Sequence, residues 1–470
     1  MKIGVLLINT GTADAPTKEA IRPYLTEFLM DPAIIGAPLF IRRLLVKHIV
    51  KNRPERTVAH YEAFWTPEGS PFMLTSKAQC GALSQKLNSD APADKEYVCA
   101  LSMRYGNPSI CAGLEALRDA GCEQVVLLPL YPQNVKVCAG TCLLAAHDCL
   151  QEMSALGWAP EVFEVKSFHD HPAYRAALMD AVRACWEYKP GSKLIVSFHS
   201  TMMHDIKRDD TYLVQATETK DWLAKALGVP PEDAILGFQS RFDSRKWLKP
   251  FTEQILKDLV DKGVRDVCVI TPGFVADNIE TAIEVNRDLR QIFLSGKSIQ
   301  KRMPGHVVIE TPQEDECVTP RSNAMSGRVA AETPSGVSGA GVSGDGADAG
   351  AFADGEVPDV SKLGAGEISN TSELAAGETS STSELAAGER SFTYVPALGC
   401  ADGLIEALAD CVRQAGQTLN TRHIPLTFAP KEPNAESLEA IREGDAFLNS
   451  GKKGRFTNGA DLIESTMAKD

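Results

Sequence analysis

His199 ends the run KLIVSFH, and an imidazole at that place can exchange a proton near neutral pH or ligate a borderline metal ion. The run is apolar and unbroken through Leu194, Ile195, Val196 and Phe198, the pattern of a central parallel strand buried on both faces. In open parallel sheets ligands bind beyond the carboxyl ends of the strands, so position and chemistry agree. A second stretch, Thr271 to Val285, leaves the apolar strand Asp266 to Ile270 through a Pro-Gly turn. Asp277 suits the N-cap of the helix that follows, and Glu280 and Glu284 fall four apart on one face near its positive end. If that face looks toward the first strand's exit, both carboxylates lie near His199; the plain alternative is a solvated acidic first turn. In the third stretch, FQSRFDSRKWLKP (Phe238 to Pro250), Arg241, Arg245, Lys246 and Lys249 can hold acidic groups while Trp247 offers a flat surface. A structural loop around a buried tryptophan is the alternative there.

The elements that must position these groups alternate along the chain. Strands are predicted at Ile3 to Ile8, Tyr97 to Met103, Gln124 to Leu130, Lys193 to Phe198, Ala234 to Phe238, Asp266 to Ile270 and Phe392 to Val395. Between them lie amphipathic runs such as Ser109 to Ala120, Tyr174 to Trp186, Val214 to Leu227 and Phe251 to Lys262. Such alternation predicts an α/β protein with parallel sheets flanked by helices, and the strands split into an early and a late group. Two similar domains are expected, 1–165 and 166–295, with 391–414 supplying a final strand and helix and 415–470 a polar extension. Residues 296–390 are different in kind. Most of that segment is Gly, Ala, Ser and acidic residues, with TSELAAGE at Thr371 to Glu378 and again at Thr382 to Glu389. It cannot bury enough to fold and reads as a disordered insertion.

Composition narrows the function. In 470 residues, 62 acidic against 48 basic side chains give a net charge of -14, which argues against a nucleic-acid partner. The first apolar run stops at Asn9, too short for a signal peptide core or a membrane span. The twelve cysteines contain no CxxC pair and read as thiols in a reducing cytoplasm. Of these, Cys138, Cys142 and Cys149 are read as core or helix-packing residues rather than metal ligands. GVLLINTGT (Gly4 to Thr12) lacks both the dinucleotide fingerprint and the Gly-Lys-Ser/Thr of a P-loop, so nucleotide binding is rejected. In Pro38 to Arg56 apolar Leu39, Phe40, Leu44, Leu45, Ile49 and Val50 mix with Arg42, Arg43, Lys47 and Lys51. This suits either a helix on an anionic membrane surface or an ordinary amphipathic helix on the core.

Taken together the motifs resemble the ferrochelatases, which insert ferrous iron into a porphyrin at the end of haem synthesis. The matches run in order: GVLLINTGT, YLTEFLMDP (Tyr24 to Pro32), WTPEGSP (Trp65 to Pro71), MRYGNPS (Met103 to Ser109), LPLYPQ (Leu128 to Gln133), FHS (Phe198 to Ser200), FQSRF with WLKP, PGFVADNIET (Pro272 to Thr281) and FTYVPAL (Phe392 to Leu398). The resemblance implies two Rossmann-like, chelatase-type domains with the porphyrin in a cleft between them. It maps the family's essential histidine onto His199 and its essential glutamate onto Glu280, both as catalytic and metal-facing groups, with Glu284 one turn further along. Other substrate contacts would fall on Tyr131, Ser70, Met103, Arg104, Tyr105 and Trp247. The family's lip at the cleft mouth corresponds to the stretch after Ile34, which favours the membrane-surface reading of 38–56 and a cytoplasmic protein held peripherally at the membrane.

By that resemblance the substrates are ferrous iron and protoporphyrin IX, with coproporphyrin III as the rival porphyrin and a non-catalytic haem or porphyrin carrier as the rival class. No prosthetic group is implied. Members with an iron-sulfur cluster group their cysteines near the C-terminus, where this chain has only Cys400 and Cys411, so no cluster is expected. The chain departs from the family at Thr201, Met202 and Met203, at Asp209 to Tyr212, at Ala33 and at Asn278. These departures bear on substrate contacts and metal preference.

Overall fold

The computed structural model describes residues 1–52, 54–241, 246–296 and 389–415. Most of the 296–390 insertion, the 415–470 extension beyond its first residue, and Arg245 lie outside the described residues. Eight strands form two parallel sheets: β1 (Lys2–Asn9), β2 (Glu96–Met103), β3 (Gln124–Pro129), β4 (Glu161–Glu164), β5 (Lys193–His199), β6 (Ala234–Gln239), β7 (Asp266–Ile270) and β8 (Ser391–Val395). Their orders are β2-β1-β3-β4 and β6-β5-β7-β8. All ladders are parallel, so each sheet gathers its strands' carboxyl ends on one edge. The central strands β1, β3 and β5 are almost wholly buried, as helices covering both faces require.

Seven strands stand where the apolar runs place them. The eighth, β4, has the sequence EVFE, in which one buried phenylalanine sits between charged ends. It is an edge strand paired only to β3, so its exterior tolerates polar residues and its apolar signal is weak. Helix starts are legible too: Ser109 accepts from the Ala112 N–H at the head of Ile110–Asp119, the N-cap its residue type suits.

The two sheets share one core. A single apolar cluster contains Val5, Leu7 and Leu128 from the first sheet and Leu194, Val196 and Cys268 from the second. Gln79, fully buried on the helix Pro71–Ser89, donates to the Val275 carbonyl (2.8 Å) and the Gly399 carbonyl (2.7 Å) of the second half. The helix Asp402–Ala415 follows β8 and packs on both Pro172–Arg183 and Pro71–Ser89, with Lys86 paired to Glu406 at 2.8 Å. Gly296 and Arg390 lie against one another, so the chain leaves and rejoins the fold at one place.

One cysteine reading is corrected. Cys111 and Cys149 form a disulfide, with Cα atoms 5.5 Å apart, between the helices Ile110–Asp119 and Thr141–Ala155. These helices pack side by side, which brings together residues 38 apart in sequence; spacing alone could not show it. Cys142 is fully buried in the same core, as read. No helix among the described residues is long and apolar enough to cross a membrane.

Candidate active site

The carboxyl ends of the two sheets meet. Met103, last residue of β2, packs with Phe72 and with Ala276, which lies beyond β7 in the other half. His199 closes β5 beside β7, whose exit loop carries Phe274 edge-on to the imidazole with ring centroids 6.5 Å apart. Its Nδ1 lies 2.6 Å from the Ser200 carbonyl. A carbonyl can only accept, so Nδ1 carries a proton, and in the neutral imidazole the lone pair is then on Nε2. Tyr212 donates to the His199 carbonyl at 2.8 Å and fixes the backbone from the far side. The loop's own residues are thus built into the site: Tyr212 anchors the histidine, and Met202, one of the departures, pairs backbone to backbone with Trp247. Leu248 N–H to Thr201 (2.9 Å) and Met203 N–H to Lys246 (2.9 Å) extend that pairing, which holds the half-buried Trp247 next to the histidine loop.

Glu280 and Glu284 sit on a π-helix, Ile279–Leu289, rather than an α-helix. Its wider turn keeps residues four apart on nearly one face, and π segments concentrate at functional sites. The N-cap is Asn278, not Asp277: Asn278 Oδ1 accepts from Thr281 N at 3.0 Å and Thr281 Oγ1 accepts from Asn278 N at 2.9 Å. Asp277 is turned away, taking hydrogen bonds from Tyr394 (2.6 Å), Thr281 (2.8 Å) and the Ala397 N–H. A sequence offers two adjacent capping residues here, and Tyr394 on β8 decides which one caps. Burial pushes the Asp277 carboxyl up, against those hydrogen bonds, which hold it down.

Glu280 faces the first half of the molecule. Burial, with the Glu280 charge as a further cause, pushes up the phenol of Tyr24, takes Tyr61 to about 12 and takes the Cys138 thiol to about 12. The helix Pro54–Phe64 bearing Tyr61 packs directly on the π-helix. Nothing in the sequence ties these three neighbours to Glu280: Cys138 reads as a core or helix-packing thiol, Tyr24 as the start of YLTEFLMDP, and Tyr61 as an ordinary core residue. Glu284 is held by Ser240, whose backbone N–H and hydroxyl donate to its two oxygens at 2.8 and 2.5 Å. Burial raises the Glu284 carboxyl to about 7; the Ser240 bonds oppose this, while the Glu280 and Asp288 charges add to it.

That rise has a consequence for stability. Between pH about 4.5 and 7 the unfolded chain ionises this group while the folded one does not, so stability present below that window is lost as pH rises through it. Glu284→Gln removes the cost. The melting temperature of the variant relative to wild type should therefore climb as pH goes from 5 to 8, by a few degrees, corresponding to roughly 2 kcal/mol. A gap that is flat with pH, or that shrinks, contradicts the assignment.

The remaining sequence candidates occupy two settings. Arg104 and Tyr105 both reach Asp31 at the end of the helix Lys18–Met30: the guanidinium at 2.5 Å and the phenol at 2.9 Å share one carboxylate oxygen. Arg104 also covers the Tyr105 ring at 4.6 Å, and its Nε is buried without a partner. Gly11 lets this happen: at φ 103°, a Cβ there would stand 1.8 Å from the Tyr105 carbonyl oxygen. Ser70 caps Pro71–Ser89 by position, is 4% exposed, and its Oγ has no partner among the described residues. Tyr131 is 6% exposed, its hydroxyl bonded to Thr10 and its ring in the core with Ala139 and Cys142. Trp247, half-buried, is the more accessible ring. Among the described residues no three His, Cys, Asp or Glu side chains gather closely enough to hold an ion by themselves.

Comparison with known proteins gives a consistent result. The ferrochelatase family profile matches residues 2–304. A ferrochelatase of Chromobacterium violaceum is 39% identical over 296 residues, 63% of this chain and 80% of that one. A ferrochelatase of Azoarcus is 37% identical over 295 residues, covering 62% and 79%. The protein named ferrochelatase 2 in Shewanella oneidensis is 37% identical over 296 residues, covering 62% and 88%.

Proposed function

The chain belongs to the ferrochelatase family, and we propose that it inserts ferrous iron into protoporphyrin IX, releasing two protons and protohaem. Membership makes it a lyase of haem synthesis with porphyrin and ferrous iron as substrates. The choice of porphyrin, the residues that act and any membrane contact are our own reading.

The observation that carries this reading is His199 at the exit of β5, its Nδ1 committed to the Ser200 carbonyl and its Nε2 lone pair open. A free porphyrin holds two pyrrole N–H protons, and both must leave as the ion sheds water and enters from one face. His199 Nε2 takes a pyrrole proton and faces the metal; Glu280 neutralises the arriving dication. Glu284, with its affinity near neutrality, passes protons outward along the same helix face. Arg104, held by Asp31, and Ser70 supply donors for substrate carboxylates, with Met103, Tyr105 and Tyr131 shaping the floor beneath. Trp247 lies along the ring. Binding that ruffles the ring would turn nitrogen lone pairs outward.

The lip supports the less polar porphyrin. On the helix Leu39–Asn52, Phe40 is 64% exposed and Leu39 and Leu44 about half or more, beside exposed Arg43, Lys47 and Lys51. That mixture suits a helix resting on an anionic lipid surface, from which a cytoplasmic enzyme would take an apolar substrate. Under anaerobic conditions kcat/KM for protoporphyrin IX should exceed that for coproporphyrin III by at least tenfold. The reverse order would assign the chain to the coproporphyrin branch, and equal values would remove the lip argument.

A further inference from the structure

Ser240 is the only non-glycine residue with positive φ among the described residues, at 62°. For a residue with a Cβ this left-handed conformation is strained, and it persists where the surroundings over-determine it. They do so here. The preceding residue, Gln239, pairs with His199 in the β5·β6 ladder, accepts from Ser200 N–H at 2.8 Å through its carbonyl, and accepts from Ser197 Oγ at 2.5 Å through its side chain. Ser197 is in turn bonded to Thr252 at 2.6 Å. With that strand end fixed, the left-handed turn at Ser240 aims its N–H and its hydroxyl in the same direction. Both land on Glu284, one on each carboxylate oxygen.

We propose that Ser240 is a positioning residue: its left-handed turn clamps the Glu284 carboxylate by two hydrogen bonds and so sets the geometry in which Glu284 receives protons. The inference rests on the reading above that Glu284 passes protons away from the ring. It adds a residue that acts through Glu284. A glycine would satisfy the backbone without strain and keep the N–H donor, so a serine at this φ is explained by its hydroxyl. A two-point clamp also fixes the rotation of the carboxylate, which one donor cannot do.

Two variants separate positioning from a loop-stabilising role. Ser240→Gly removes the hydroxyl and relieves the strain; Ser240→Ala removes the hydroxyl and keeps it. On the full-length protein, Ser240→Gly should melt at the wild-type temperature or a few degrees above it, yet lose about tenfold in kcat for iron insertion, with KM for porphyrin within twofold. Ser240→Ala should lose the same activity and melt lower than Ser240→Gly. In a Glu284→Gln background, adding Ser240→Gly should cost less than twofold, because the group it positions is already changed. Full kcat in Ser240→Gly overturns the inference, as does an undiminished tenfold loss in the Glu284→Gln background. If wild type itself fails to metallate any porphyrin, the proposed function falls, a result distinct from either of these.

Discussion

Replacing His199 by alanine is expected to lower kcat for iron insertion by about 100- to 1,000-fold while KM for porphyrin moves less than threefold, the range typical of a lost general base. The size follows from geometry. The Nδ1–H donated to the Ser200 carbonyl fixes one tautomer of the neutral ring, the one with its acceptor on Nε2, and Tyr212 and Phe274 fix the backbone and the ring plane. Alanine removes the acceptor and leaves the strand intact, since His199 ends β5 and is only partly buried. Stopped-flow absorbance of the free-base porphyrin under anaerobic conditions reads the rate directly. A variant within threefold of wild type would show that another group takes the pyrrole proton.

Glu280→Gln comes next, with an expected loss of about 100-fold in kcat and a several-fold rise in KM for ferrous iron. The substitution keeps shape and removes the charge that meets the dication. Because Glu280 sits at the head of the π-helix, whose start is secured independently by the Asn278 and Thr281 capping box, the helix should survive the change. Circular dichroism and melting should therefore match wild type. The split between the two constants is diagnostic: a change in porphyrin KM alone would make Glu280 a wall residue rather than a group that handles the ion.

Much of the frame was legible because buried parallel strands are continuous apolar runs, and KLIVSF and QVVLLP are of that kind. EVFE was not, since an edge strand needs one buried side chain and leaves the rest to water. His199, Glu280 and Glu284 could be singled out because chemistry-bearing residues at strand exits and one turn apart are a pattern in sequence. The π-helix could not, because a spacing of four fits both helix types. The Ser240 turn, the Asp31 clamp on Arg104 and Tyr105, and the Tyr24, Tyr61 and Cys138 surroundings of Glu280 were hidden for another reason. Each depends on which residues from distant segments meet, and the residues concerned have ordinary packing or capping roles elsewhere. Tyr131 could be picked out as a substrate contact from its place in LPLYPQ, whereas the bond of its hydroxyl to Thr10 and the packing of its ring depend on segments that meet only in the fold.

The central claim is that this chain turns ferrous iron and a porphyrin into a haem. Wild-type protein mixed anaerobically with ferrous iron and protoporphyrin IX should yield protohaem over many turnovers, seen as loss of the free-base spectrum and a product that forms the pyridine haemochrome. If no protohaem forms above the protein-free rate, with coproporphyrin III equally inert, the account is contradicted.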